Sequence, residues 1–375
     1  MNALDELTNL SSSVSNPAIQ EWKSKNKKIV GFLCSHVPEE ILYAADILPI
    51  RLRAPGCTET TTADIYMSRL NCTFVRSCLE FMHNGKYDFL DGFICTNSCD
   101  HTRRLYDVMR VTLNYPFVHF LSVPHKVNGE ITASWYRDEC TSLKKSIEST
   151  FGVDITETKL RNAIDIYNET RSLLKRIYDL RKGQAPPISG TEMLSVIVAA
   201  GTIPRDQYNQ LLRTLLDELS EKEGLSDYRA RLMIAGSGGC DDPAYFQVME
   251  DLGGLIVTDS LCYGSRSFWE PVIEKDDLML GLASSYLKRP SCANMTDRIS
   301  ERSNYVKDMV KDFNVDGVVF QGMRYCDLWA GQLVHLRKKL NESNIPLLSL
   351  DREYMLGGVG QLRTRVQAFI ESIEG

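Results

Sequence analysis

Along the first 125 residues, short apolar runs alternate with segments whose apolar residues recur at helical spacing. Runs at 28–33, 49–52, 89–94 and 116–123 read as strands, while 38–47, roughly 63–82 and about 100–111 read as helices. Such alternation predicts a parallel sheet with helices on its faces. Between 134 and 223 helical periodicity takes over, interrupted at Gln184-Ala185-Pro186-Pro187 and Gly201-Thr202-Ile203-Pro204. Alternation then returns, with strands expected at 229–235, 255–258, 315–320 and 346–350. Helices are expected at 243–252, 277–287, 296–313, 327–341 and 361–373. The expected fold class is α/β: two parallel-sheet lobes of Rossmann or flavodoxin type with a helical segment between them. The expected divisions are an N-terminal helical segment 1–27, a first α/β lobe 28–133, a helical linker domain 134–226 and a second α/β lobe 227–375.

The two lobes read as diverged copies. Tyr87-Asp88-Phe89-Leu90-Asp91-Gly92-Phe93-Ile94 is followed by Cys99-Asp100, a helix and Tyr115-Pro116. Phe313-Asn314-Val315-Asp316-Gly317-Val318-Val319-Phe320 is followed by Cys326-Asp327, a helix and Ile345-Pro346. In both, Asp-Gly opens an apolar run and Cys-Asp follows it within a few residues. Convergence is the alternative, because an Asp-Gly turn before a strand is common in α/β folds.

Composition narrows the function. The chain has 375 residues, 43% of them hydrophobic, enough for sizeable cores. A formal charge of −6 argues against a nucleic-acid partner, which requires concentrated basic surface. Residues 1–28 contain no apolar signal core and no long apolar stretch follows, so a cytoplasmic protein without a membrane span is expected. Eleven cysteines in such a compartment point to metal ligation and buried thiols rather than a disulfide framework.

Three of them stand in segments suited to an iron–sulfur cluster: Arg76-Ser77-Cys78-Leu79-Glu80, Ser98-Cys99-Asp100-His101 and Tyr325-Cys326-Asp327. Cys99 and Cys326 fall at the carboxyl ends of predicted strands, where open parallel sheets gather ligands, and near helix N-termini, which favour thiolates. Cys78 lies late in the predicted helix 63–82. Three thiolates suit a [4Fe–4S] cluster with one open iron, one per subunit, because a closed electron-transfer cluster takes four. Zinc is the rival metal, on the spacing of Cys95 and Cys99, although no second pair accompanies them.

Four motifs in order carry a resemblance. They are Gly31-Phe32-Leu33-Cys34-Ser35-His36-Val37-Pro38-Glu39-Glu40-Ile41, the Cys78 segment, Ser98-Cys99-Asp100-His101-Thr102-Arg103-Arg104-Leu105-Tyr106-Asp107, and Met323-Arg324-Tyr325-Cys326-Asp327. The chain resembles the benzoyl-CoA reductase/2-hydroxyacyl-CoA dehydratase family from about residue 26 to 369. The resemblance implies a cluster between two lobes held by Cys78, Cys99 and Cys326. It also implies a related second catalytic subunit, electrons from a separate ATP-hydrolysing iron–sulfur activator, and an aromatic or 2-hydroxy acyl-CoA substrate. The chain itself has no phosphate-binding Gly-x-x-x-x-Gly-Lys loop. The Cys99 stretch looks more like the ring reductases than the dehydratases, which implies an ATP-dependent benzoyl-CoA reductase subunit.

Ring reduction consumes protons, so His101, His36 and Glu39 are the candidate catalytic residues; the substrate-binding residues are not readable from the sequence. For Glu39 and Glu40 the competing reading is a helix start, where acidic residues complement the dipole. Arg103 and Arg104 suit a CoA phosphate, a partner subunit or a solvated face. Cys34, Cys72 and Cys95 are ligand candidates only for a cluster larger than one cubane, and are read with Cys57, Cys140, Cys240, Cys262 and Cys292 as structural thiols. The rival functions are a 2-hydroxyacyl-CoA dehydratase β-type subunit, a non-catalytic cluster carrier or scaffold, and an α/β binding module without metal.

Overall fold

The computed structural model describes residues 2–375, so the first residue of the expected N-terminal segment lies outside it. Helices 3–11 and 17–24 precede the first strand. The strands β1 (Lys28–Phe32), β2 (Ile47–Arg51), β3 (Gly92–Thr96) and β4 (Phe117–Leu121) form one parallel sheet in the order β2-β1-β3-β4. Strands β5 (Ala230–Gly236), β6 (Gly254–Ser260), β7 (Gly317–Met323) and β8 (Leu347–Arg352) form a second, in the order β6-β5-β7-β8. The pairings are parallel throughout and the two orders are equivalent, as the repeated sequence pattern predicts.

The repeated Asp-Gly does the same work in both sheets. Asp91 accepts a hydrogen bond from the Ile29 N–H at 2.9 Å, and Asp316 accepts one from the Arg231 N–H at 2.7 Å. Each aspartate thereby fixes where the first strand of its sheet begins beside the third. At Gly92 a Cβ would stand 2.3 Å from the Phe117 carbonyl oxygen, so the close approach of β3 to β4 requires glycine there.

Element bounds depart from the sequence expectation at two informative places. Helix 39–44 is shorter than expected because Asp46 takes a left-handed conformation, φ 58°, which lets β2 start at Ile47. Pro49 is tolerated within β2 because that strand is at a sheet edge. The single helix expected over 63–82 is two, Ala63–Tyr66 and Thr73–His83. Between them Asn71 donates to the Ser68 carbonyl, and Arg76 reaches back to the Asn71 carbonyl at 3.1 Å and to Asp64 at 2.6 Å. Helical periodicity continues across the break, but Ser68 and Asn71 are turn formers that compete with the helix.

Helices 130–151, 157–180, 190–199 and 205–221 occupy the span between the sheets. Cover for the sheets is exchanged between the halves of the chain. Val272, Leu278, Leu282 and Tyr286 join β1 and β4 residues in one core, while Ala3 and Leu7 pack with Met233 and Ala235 of β5. Tyr354 ties the lobes further, donating to Asp241 and accepting from the Ala54 N–H, both at 2.9 Å. Among the described residues, no helix is long and apolar enough to cross a membrane.

Candidate metal centre

A cavity of about 320 Å³ opens at the carboxyl ends of both sheets, where the strand order reverses between β1 and β3 and between β5 and β7. Six of the eleven cysteines line it: Cys34, Cys72, Cys99, Cys262, Cys292 and Cys326. All eleven are free thiols. Cys34, Cys99, Cys262, Cys292 and Cys326 are the five that are not fully buried, and each of these lines the cavity.

Three of the six stand at helix starts. Cys72 is the N-cap of helix 73–83, Cys99 of helix 100–112 and Cys326 of helix 327–341. Each helix directs the positive end of its dipole toward its cysteine, so negative charge on these sulfurs or on a group between them is favoured. The three thiols also feel one another's charge. Burial opposes ionisation in the metal-free state: it raises the Cys72 and Cys99 thiols and pushes Cys326 up to about 12. A bound metal reverses that balance, because a coordinating thiol loses its proton.

Each thiol is held by its own contacts. The Cys99 sulfur accepts from the Thr102 N–H at 3.4 Å, and the Thr102 side chain closes a capping box. Cys326 follows Tyr325, which has φ 69°, and its sulfur makes no cap bond. Upstream, Ser237 at the end of β5 accepts from the Met323 N–H at 2.7 Å, which joins the strand ends beneath Cys326. Cys72 is fixed from both lobes. Its N–H donates to His101 Nδ1 at 3.3 Å, and the next residue, Thr73, donates to Glu353 and accepts from the Tyr354 N–H at 2.8 Å.

The expected ligands therefore divide. Cys99 and Cys326 meet at the cavity. Cys78 does not line it: more than a turn into helix 73–83, it is fully buried in an apolar cluster with Leu52, Tyr87 and Phe93. Cys72 is the thiol that this segment brings to the cavity, because the chain turns just before it. Cys95 lies in β3, fully buried and outside the cavity, so it does not share a site with Cys99. Cys57, Cys140 and Cys240 are buried and do not line the cavity.

Of the proton-transfer candidates, His101 lines the cavity half-buried, its pKa lowered by burial and by Arg104. His36 also lines it, 4% exposed, with Nδ1 unpartnered. Burial and the nearby Arg289 and Arg266 hold its pKa down at about 3, so the ring is neutral near pH 7. Glu39 lies elsewhere, in an ion pair with Arg205 at 2.5 Å and accepting from Tyr167, beside a separate cavity of about 70 Å³. Glu40 is fully buried, paired with Arg171 and accepting from Tyr286 at 2.6 Å. Both glutamates anchor helix 39–44, in keeping with their structural reading. Arg103 reaches the cavity rim.

Sequence reasoning missed two wall arginines. Arg51 lies 3.6 Å from the Tyr263 ring centroid and donates to the Cys262 carbonyl at 2.6 Å. Arg266, 5% exposed, stacks at 4.7 Å over Trp329 and leaves Nε unpartnered. No motif marks them; only their positions, Arg51 at the end of β2 and Arg266 after β6, could have drawn attention. This donor set suits an iron–sulfur cluster. Among the described residues no three His, Cys, Asp or Glu side chains are arranged around one ion. A cubane makes a different demand, since each thiolate takes its own iron and the sulfurs stand farther apart than around one zinc.

Comparison with known proteins agrees with this architecture. Residues 34–373 match the model of the family described as 2-hydroxyglutaryl-CoA dehydratase, D-component. The chain is 28% identical to YjiM of Escherichia coli, which carries a provisional name as a dehydratase subunit, over 95% of this chain and 94% of that one. It is 25% identical to one of the subunits of benzoyl-CoA reductase from Thauera aromatica, over 95% and 94%. It is also 25% identical to the (R)-phenyllactyl-CoA dehydratase beta subunit of Clostridium sporogenes, over 96% of each chain; the alpha subunit of that enzyme matches at 24%. With a family match running nearly the whole length of two equivalent lobes, this chain belongs to the 2-hydroxyglutaryl-CoA dehydratase D-component family, and its relatives include benzoyl-CoA reductase and 2-hydroxyacyl-CoA dehydratase subunits.

Proposed function

We propose that this chain is the iron–sulfur subunit of an ATP-dependent, low-potential aromatic acyl-CoA reductase of the benzoyl-CoA type. The observation that carries the reading is the convergence of Cys72, Cys99 and Cys326, each at the N-cap position of a helix, on one cavity fed by both sheets. These three thiols are the proposed ligands of a [4Fe–4S] cluster, with Cys72 taking the place first expected for Cys78. Such a cluster supplies single electrons at low potential to a CoA thioester. The chain's own residues hold and tune it. The three helix N-termini and Arg51 and Arg266 offset its negative charge, and the Phe74 and Trp329 side chains keep water from one wall. His101 positions the Cys72 backbone and is the cavity group best placed to pass a proton.

The enzyme is completed by a second, related chain, in line with the alpha-subunit match, and an ATP-hydrolysing iron–sulfur activator delivers the electrons. The second reading is a 2-hydroxyacyl-CoA dehydratase β-type subunit, which the 25% identity to the phenyllactyl-CoA enzyme favours equally. The test is anaerobic purification with the partner subunit, iron and acid-labile sulfide analysis with EPR, then turnover on benzoyl-CoA and on a 2-hydroxyacyl-CoA. Reductant consumed in proportion to product supports the reductase; product formed from catalytic reductant supports the dehydratase. A colourless, iron-free complex sinks both.

A further inference from the structure

We propose that the cavity of about 70 Å³ beside Glu39 is a binding site for a small oxyanion, a carboxylate or phosphate-like ion held by arginine side chains. The site does not require iron, so it goes beyond the function proposed above. Arg51 ends β2, Arg171 lies in helix 157–180, Arg205 opens helix 205–221 and Arg289 follows helix 278–288, so both halves of the chain bring cations to this space. One water needs roughly 10–15 Å³ of such space, which leaves room for a polyatomic ion of a few heavy atoms. Ser35, Arg51 and Tyr263 line this cavity and the metal cavity alike.

Charge is out of balance here. Four guanidinium groups line the space and two carboxylates answer them, Glu39 pairing with Arg205 at 2.5 Å and Glu40 with Arg171. Glu40 also feels Arg289, but its two oxygens are engaged, one by Arg171 and the other by Tyr286 at 2.6 Å. Among the described residues Arg51 and Arg289 have no carboxylate partner. Arg51 feels the Cys34 and Cys262 thiols across the shared wall, so a cluster can claim its charge. Arg289 has no such claimant: it is 5% exposed and does not line the metal cavity. A buried charge without a counterion is strongly unfavourable, and a bound anion supplies one.

The unpartnered nitrogens define the kind of ligand. Arg289 Nη1 donates to the Ser35 carbonyl at 3.1 Å, and the guanidinium lies 3.5 Å from the Tyr286 ring centroid. These contacts fix its plane and leave the other edge, Nε and Nη2, buried without a partner. That edge presents parallel N–H groups and is the one that grips a carboxylate or phosphate through paired hydrogen bonds. Arg51 and Arg205 each leave a buried Nε unpartnered as well. Folded proteins ordinarily satisfy buried donors. A cation or an apolar ligand would leave these donors empty, whereas the oxygens of an anion accept from them.

The experiment is equilibrium dialysis of the full chain, purified anaerobically in chloride buffer, against radiolabelled phosphate and, separately, radiolabelled formate at constant ionic strength. The parent is compared with Arg289→Gln, Arg289→Lys and Arg213→Gln, the last at an exposed ion pair far along helix 205–221. The parent and Arg213→Gln are expected to bind about one ion per chain, and Arg289→Gln to raise Kd about tenfold or more by losing charge-assisted hydrogen bonds. Arg289→Lys, which keeps the charge without the paired donors, should fall between them. Phosphate binding alone identifies a tetrahedral ligand and formate binding alone a carboxylate; either supports the site. No saturable binding of either anion overturns it, as does binding that Arg289→Gln leaves unchanged or Arg213→Gln weakens equally. Because Arg289→Gln could fail to fold, crystals of the parent are also grown with whichever of the two anions binds. Density for that anion on the Nε and Nη2 edge of Arg289 supports the site; water alone on that edge overturns it. Iron content measured on the same samples reports on the metal centre separately.

Discussion

The two sheets have the same strand order and the same aspartate clasp at the third strand, yet they supply the cavity unequally. Cys99 after β3 and Cys326 after β7 are true counterparts. The positions after the first strands are not: Cys34 follows β1, whereas the loop after β5 presents Gly238 and Gly239 and buries Cys240. Cys72, ahead of the helix that leads into β3, is answered by Cys292, ahead of the helix that leads into β7, whereas Cys262 after β6 has no cavity-lining cysteine opposite it after β2. Repetition of a fold places equivalent loops at one opening. The residues in those loops then decide, one by one, what chemistry arrives there.

The largest effect should come from the thiols. Cys72→Ser, Cys99→Ser and Cys326→Ser are each expected to remove most iron from the anaerobically purified complex, whereas Cys78→Ser keeps it, by iron analysis. Iron loss in Cys78→Ser with retention in Cys72→Ser would reverse the assignment between the two.

Next is a contrast in stability. Glu40 and Arg171 make a buried pair next to the first sheet, and Glu40→Gln should destabilise by about 3–5 kcal/mol in denaturant unfolding, because it leaves a buried guanidinium uncompensated. Burial alone would raise the Glu40 carboxyl, but Arg171, Arg289 and Tyr286 outweigh it and hold it below its usual 4.5. A carboxyl depressed in the folded state contributes stability above its unfolded value and loses it as pH falls toward the folded one. Acidification below 4.5 should therefore weaken the parent more steeply than Glu40→Gln; parallel profiles would count against the ion pair.

The matched clasps provide the closest test of equivalence. Asp91→Ala and Asp316→Ala each strand a backbone N–H at a strand start and should cost about 1–3 kcal/mol by thermal or chemical unfolding. A large difference between them would show that the clasps are alike in geometry only. The smallest effect separates the two counterpart cysteines themselves. In iron-free protein Cys99→Ala loses a capping box and should cost about 0.5–2 kcal/mol, while Cys326→Ala, with no cap bond to lose, stays near the parent in the same melt.

Much of this was legible in the sequence. Alternating periodicity revealed both parallel sheets, and the paired Asp-Gly and Cys-Asp signals pointed to Cys99 and Cys326. Cys72 was read as a structural thiol rather than a cavity residue because the apolar spacing of 63–82 runs straight through a break made by Ser68, Asn71 and Arg76, contacts that exist only in three dimensions. Glu39 and Glu40 show the opposite limit. Their motif is visible, but the arginines that claim them, Arg205 and Arg171, lie 166 and 131 residues further along the chain, and no local pattern announces the pairing. Cys34, Cys262 and Cys292 reach the cavity from loops, whose course periodicity does not describe.

The exchange of cover between the halves has a consequence for synthesis. The first sheet packs against Ile41 and Leu42, then Tyr136, Leu143 and Ile147 of helix 130–151, and the same core is finished by Leu278, Leu282 and Tyr286, which come much later in the chain. Domains usually fold as units while emerging from the ribosome. The core of the first lobe is therefore completed only once about residue 290 has cleared the exit, roughly three-quarters of the way through translation. A fragment ending at residue 226 keeps β3, β4 and helix 130–151 but lacks residues 278–287, and should accordingly show weaker hydrogen-exchange protection in helix 130–151 than the full chain; equal protection would mean that the first lobe closes unaided.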